Sequence, residues 1–83
     1  MPYKLIKVTS VKPLPDYKLD LTFDTGERKI FDFKKYLDYN IYTPLKDVNF
    51  FNEVYVCFSS IAWSPQIDIA SECLYENGVL IDN

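Results

Sequence analysis

Any chemistry in this chain would have to come from carboxylates, thiols and phenols, because histidine is absent. That absence removes the Ser-His-Asp and Cys-His arrangements and the commonest proton carrier near neutral pH. Cys57 and Cys73 are the two cysteines. A closed zinc site would need carboxylates to complete it, so two reduced thiols among apolar neighbours are the simpler reading. Gly26 and Gly78 are the two glycines, too few for a phosphate loop or a dinucleotide fingerprint. Asp16, Asp20, Asp24 and Glu27 gather around the ends of one hairpin. Turn formation and a wet sheet face account for them, with a cation site or acid–base pair as the competing use. Asp68 stands apart, and its simplest role is to cap a helical turn at Ala70-Ser71-Glu72. On that reading Asp68→Ala costs about 0.5–2 kcal/mol. No catalytic residue, metal ligand or cofactor site is assigned.

Aromatic side chains offer a second kind of function. Trp63 is either an exposed binding anchor or a core plug whose N–H reaches a loop carbonyl, the commoner arrangement in a small domain. Tyr36, Tyr39 and Tyr42, with Ile41, fall in a loop region that cannot bury every ring. Tyrosine is enriched where surfaces dock. Tyr36, Tyr39, Ile41, Tyr42 and Trp63 are therefore the candidate interface residues, against the alternative of rings lying flat over a sheet edge.

The elements that must position these groups are organised around Tyr17 to Phe33. Leu19, Leu21 and Phe23 alternate with Asp20, Thr22 and Asp24, the period of a half-buried strand. Asp24-Thr25-Gly26 supplies turn chemistry. A three-residue loop with Gly26 left-handed places Leu19 opposite Phe31 and Lys18 opposite Asp32, whereas a two-residue loop would put Asp32 against Leu19. Ahead of this hairpin, Ile6 to Leu14 is extended but carries Pro13, which demands an edge strand, a bulge or an early end. A short helix is expected from Asp32 to Leu37 and another from Asp47, with Pro44 opposing a helix through Thr43. Val54 to Phe58 reads as a strand, Ser59-Ser60 as its turn, and Ile61-Ala62-Trp63 as its partner. Ala70 to Tyr75 is helical and stops at Asn77-Gly78. The expected fold is α+β: one small antiparallel sheet, ordered β-β-β-α-α-β-β-α, with short helices on one face. It forms a single domain over 1–83, ordered from about 4 to 78, with a frayed tail at 79–83.

Eighty-three residues with 48% hydrophobic and 17% aromatic content fit one folded domain with a thin core and little room for an enclosed pocket. The net charge of −3 opposes direct nucleic-acid binding, since no expected element concentrates basic residues. No run approaches the ~18 apolar residues of a membrane span. No secretory signal precedes the first strand, which places the chain in the cytoplasm.

The ordered series LDLTFDTG (Leu19 to Gly26), Asp32, Pro44-Leu45-Lys46-Asp47, Phe51, Ile61-Ala62-Trp63, Asp68-Ile69 and Leu74-Tyr75 resembles a known family. It is the short bacterial domain-of-unknown-function family numbered 2442, and the likeness runs from about residue 6 to 75. Phe23, Gly26, Asp32, Leu45, Phe51, Trp63, Asp68, Leu74 and Tyr75 are the positions that match. The family's Trp-Pro-x-Gly-Ala-Asp-like turn is replaced here by Trp63-Ser64-Pro65-Gln66-Ile67-Asp68. The resemblance implies a small α+β protein without established enzymatic activity. It also implies a gene neighbour arranged as in toxin–antitoxin pairs, and longer relatives that add a helix-turn-helix segment.

Three readings follow. The first is a noncatalytic protein-interaction module, antitoxin-like, with a basic partner encoded next door. The second is a small ligand-binding or enzymatic domain using Asp, Tyr and Cys. The third is a regulatory module tied indirectly to DNA. A homodimer through an uncovered edge strand is a further expectation.

Overall fold

The computed structural model describes residues 6–81, so positions 4–5 of the expected core and 82–83 of the expected tail lie outside the described residues. The first three strands form the meander anticipated from the alternation: β1 (Val8–Leu14), β2 (Lys18–Phe23) and β3 (Arg28–Asp32). Leu19 stands opposite Phe31 and Lys18 opposite Asp32. Phe23 N–H donates to the Glu27 carbonyl at 2.9 Å, and Gly26 sits at φ +91°. A left-handed glycine closing a three-residue loop is what this register requires. Pro13 lies in β1, which is an edge strand bulged between Val8 and Ser10.

After β3 the chain makes two 3₁₀ turns, Lys34–Tyr36 and Asn40–Lys46, before the helix α1 (Val48–Phe51). The second 3₁₀ turn departs from expectation, since it runs through Thr43 and includes Pro44. Pro44 is the fifth of its seven residues; its missing N–H leaves one bond of the turn unmade, while its carbonyl accepts from Asp47 N–H at 3.3 Å. Asp47 caps α1 as expected, accepting from Asn49 N–H at 3.0 Å.

The expectation of one sheet needs correction, although the α+β class holds. β4 (Tyr55–Cys57), β5 (Ser60–Ser64) and β6 (Ile67–Ile69) form a separate three-stranded antiparallel sheet. Ile67–Ile69, to which the sequence analysis assigns no strand, pairs with β5. The helix α2 (Ser71–Asn77) follows, and β7 (Val79–Leu80) pairs with β3 to close a four-stranded first sheet. The tail at Val79–Leu80 is therefore not frayed: its backbone takes up the open edge of β3. Gly78 lets the chain turn from α2 into β7, because a Cβ there would stand 2.8 Å from the Leu74 carbonyl oxygen.

The core lies between the sheets. Leu19, Leu21, Phe23 and Phe31 from the first sheet meet Ile61, Trp63, Ile67 and Ile69 from the second, with Phe51, Leu45 and Leu74 from the helical segments. Phe33 is the junction: its ring centroid lies 5.1 Å from Trp63, 5.0 Å from Tyr42 and 5.9 Å from Phe51. Aromatic pairs at such spacings and tilts contribute ~0.5–1.5 kcal/mol each beyond their buried area. Large rings thus share this small core with Leu, Ile and Val side chains.

Candidate functional site

The tip of the β4–β5 hairpin is the most unusual place on the surface. Phe58 and Ser59 form a two-residue turn, with Cys57 and Ser60 paired across it. Both turn residues have positive φ, 49° for Phe58 and 71° for Ser59. Turns of this hand favour asparagine or glycine, and a side chain held there costs ~1–3 kcal/mol. Phe58 gains nothing from folding in return, since 98% of it is exposed. The turn expected at Ser59-Ser60 thus moves one residue towards the N-terminus. The Ser60 hydroxyl donates to the Ile69 carbonyl, tying Ser60 into the β5–β6 ladder and leaving Phe58 as the turn residue.

β4 is itself an edge strand, and Tyr55 and Val56 on it are exposed. Cross-strand pairing puts Tyr55, Cys57, Ala62 and Asp68 on one face of this sheet, while Ile61 and Ile69 face the core. A hollow of about 240 Å³ lies beside Phe58, with Cys57, Ser60, Ala62 and Asp68 in its wall. The edge carries no lysine, proline or bulge, the devices that usually blunt a free strand.

Charge is segregated along the chain. All nine basic residues end at Lys46, and beyond it stand Asp47, Glu53, Asp68, Glu72, Glu76 and Asp82 with no base among them. The second sheet and α2 therefore present acidic groups and no basic ones. Two close ion pairs lie on and beside the first sheet, Arg28 to Asp20 at 2.7 Å and Lys34 to Asp16 at 2.7 Å. The Lys34 ammonium bonded to Asp16 holds that carboxyl below its ordinary range.

The structure separates the five interface candidates. Trp63 is 3% exposed and donates Nε1–H to the Phe51 carbonyl at 2.9 Å, so it is a core residue and not an anchor. Tyr36 and Tyr42 are half-buried against Phe33, and the Tyr42 hydroxyl donates to the Asp68 carbonyl at 2.9 Å. Burial raises the pKa of both phenols, with Cys73 adding to the rise at Tyr36 and Asp68 at Tyr42. Neither is poised to take a proton at neutral pH. Tyr39 and Ile41 remain on the surface, 57% and 51% exposed, at the outer end of this tyrosine cluster.

The positions carried by the family resemblance are chiefly structural. Phe23, Leu45, Phe51, Trp63 and Leu74 are buried, and Gly26 makes the hairpin turn. Asp32 accepts the Lys34 N–H at 3.0 Å and so starts the first 3₁₀ turn. Tyr75 packs edge-on against Phe23 and donates to Glu27, a bond that lowers the Glu27 pKa and raises that of Tyr75. Asp68 is corrected: it lies in β6 with its side chain exposed, and the cap position of α2 is Ala70, without a side-chain bond. Its distance from the helix start leaves the carboxylate free on the outer face of the sheet.

Cys57 and Cys73 are free and half-buried. Among the described residues, no three of Cys, Asp and Glu gather closely enough to hold a metal ion, and no helix is long and apolar enough to cross a membrane. Phe58 and the one-sided charge are the features that the sequence reading missed. The charge division was there to be seen in the order of residues; the exposure of Phe58 depended on the turn.

Comparison with known families matches residues 8–79 to the family described as "Protein of unknown function (DUF2442)". No curated protein and no solved structure matches the chain.

Proposed function

The chain belongs to the DUF2442 family of proteins of unknown function, and from that premise we propose that it is a noncatalytic protein-interaction module. Its binding face is the β4–β5 hairpin and the free edge of β4. The observation that carries this reading is Phe58: a large apolar ring, 98% exposed, held on a backbone that opposes it. Strain of this kind persists where function requires a particular side chain. Tyr55 and Val56 expose apolar groups on the two faces of β4, and Glu53 and Asp68 add acidic groups nearby.

Such a surface suits a basic protein with an aromatic-accepting pocket. Apolar anchors at the centre would supply affinity, and the acidic groups would speed encounter and discriminate between partners. Within this reading the chain is a cytoplasmic, antitoxin-like member of a two-protein pair, its partner the basic product of the neighbouring gene. The lack of histidine supports a role without catalysis. Co-expression with the neighbouring gene product, followed by purification through a tag on that partner, tests the proposal. A stoichiometric complex that survives in wild type and is lost in Phe58→Asn is expected. A complex indifferent to Phe58 contradicts the assigned face, and self-association of this chain through β4 contradicts the assigned partner.

A further inference from the structure

On the opposite sheet, β3 has an edge that β7 covers only in part. Bonds from Phe33 N–H to the Tyr17 carbonyl and from Phe23 N–H to the Glu27 carbonyl fix the alternation of the β2–β3 ladder. Arg28, Ile30 and Asp32 must then turn their backbone N–H and C=O groups away from β2. β7 takes the first two, by Ile81 N–H to the Arg28 carbonyl and by the pairing of Val79 with Ile30. One step further the chain has already become α2, and Asp32 has no backbone partner on that side among the described residues.

A hollow of about 420 Å³ opens at this point, within the size range of small-ligand sites. Its apolar floor is Ile30, Phe31 and Val79, and its rim carries Lys18 and Lys35. Neither ammonium is firmly engaged. Lys18 stands 3.7 Å from Asp16, whose closer partner is Lys34, and Lys35 lies 5.6 Å from the centre of the Tyr36 ring. The Asp32 carboxylate also lies on this rim, but one oxygen already accepts Lys34 N–H, and two cations outweigh it.

We propose that this hollow binds a carboxylate carried on an apolar body. The carboxylate would meet Lys35, Lys18 and the open Asp32 N–H, while the apolar body covers Ile30, Phe31 and Val79. A free aliphatic acid and the C-terminus of an apolar peptide share this chemistry. The peptide adds one feature, an amide N–H able to donate to the open Asp32 carbonyl.

The test is a titration of the isotope-labelled full chain, followed by amide chemical shifts, with hexanoate, hexylammonium and acetyl-leucine. Saturable shifts at Ile30 to Asp32, Lys35 and Val79 are expected with hexanoate and absent with hexylammonium. Lys35→Gln, checked for an otherwise unchanged spectrum, should weaken hexanoate about tenfold, the loss of one charge-assisted contact. Acetyl-leucine binding tighter than hexanoate identifies a peptide terminus as the ligand, and the reverse order identifies a free acid. Shifts that never saturate, an equal response to hexylammonium, or an undiminished affinity in Lys35→Gln would overturn the proposal.

Discussion

At position 58 stability and binding should pull in opposite directions, which makes single substitutions informative. Asparagine adopts positive φ far more readily than phenylalanine, so Phe58→Asn should stabilise the fold by about 1 kcal/mol. Thermal unfolding checks this, and a lowered melting temperature would show that the ring supports the fold after all. Trp63 behaves in the other sense. Trp63→Phe keeps much of the ring but strands the buried Phe51 carbonyl, at a cost of about 1–3 kcal/mol in denaturant unfolding. Asp68→Ala should leave stability within about 0.5 kcal/mol of wild type, because the carboxylate is exposed and caps no helix. A loss of a full kcal/mol would restore the capping role that its position in the sequence suggests.

At the scale of elements, local rules served where local chemistry decides. The bulged hairpin followed from one choice: which loop length keeps Asp32 off the face of Leu19. The Asp47 cap followed equally from residue types, and Pro13 narrowed β1 to an edge, a bulge or an early end, of which the structure shows the first two. Three elements were out of reach for a shared reason. β6, β7 and the division into two sheets depend on which distant edge a short segment meets, and three- or two-residue strands carry too little pattern to say. The site was less legible than the fold. The spacing of Tyr36, Tyr39 and Tyr42 shows that their rings fall near one another, but the tip at Phe58 was hidden by its own propensity, since an aromatic after Val-Tyr-Val-Cys reads as more strand. One inter-element bond gives a pH dependence. Tyr75 donates to Glu27 and joins α2 to the β2–β3 loop, lowering the Glu27 pKa in the folded state. The unfolded chain therefore binds more protons as pH falls through the carboxylate range, from just above 4.5 downwards, and stability falls with it. Glu27→Gln should flatten this acid limb in melts recorded across pH. A limb of unchanged slope would assign the effect to other carboxylates, Asp16 first among them.

Across the whole molecule, the two sheets differ in what they offer a partner. The first carries two close ion pairs and leaves a cationic hollow at one edge. The second, built wholly from residues beyond Lys46, is apolar at its tip and acidic around it. The aromatic junction at Phe33 locks the two together, so the hairpin is presented on a rigid base. Association through the second sheet should slow as salt is raised, since screening shortens the reach of its acidic groups to ~10 Å at 0.1 M. The most direct measurement is the affinity of the purified neighbouring gene product for wild type and for Phe58→Asn, read by titration calorimetry. A tight complex with wild type, weakened at least about tenfold in a variant that melts no lower, is the predicted result. Equal affinity for both proteins, or none for either, would contradict the account.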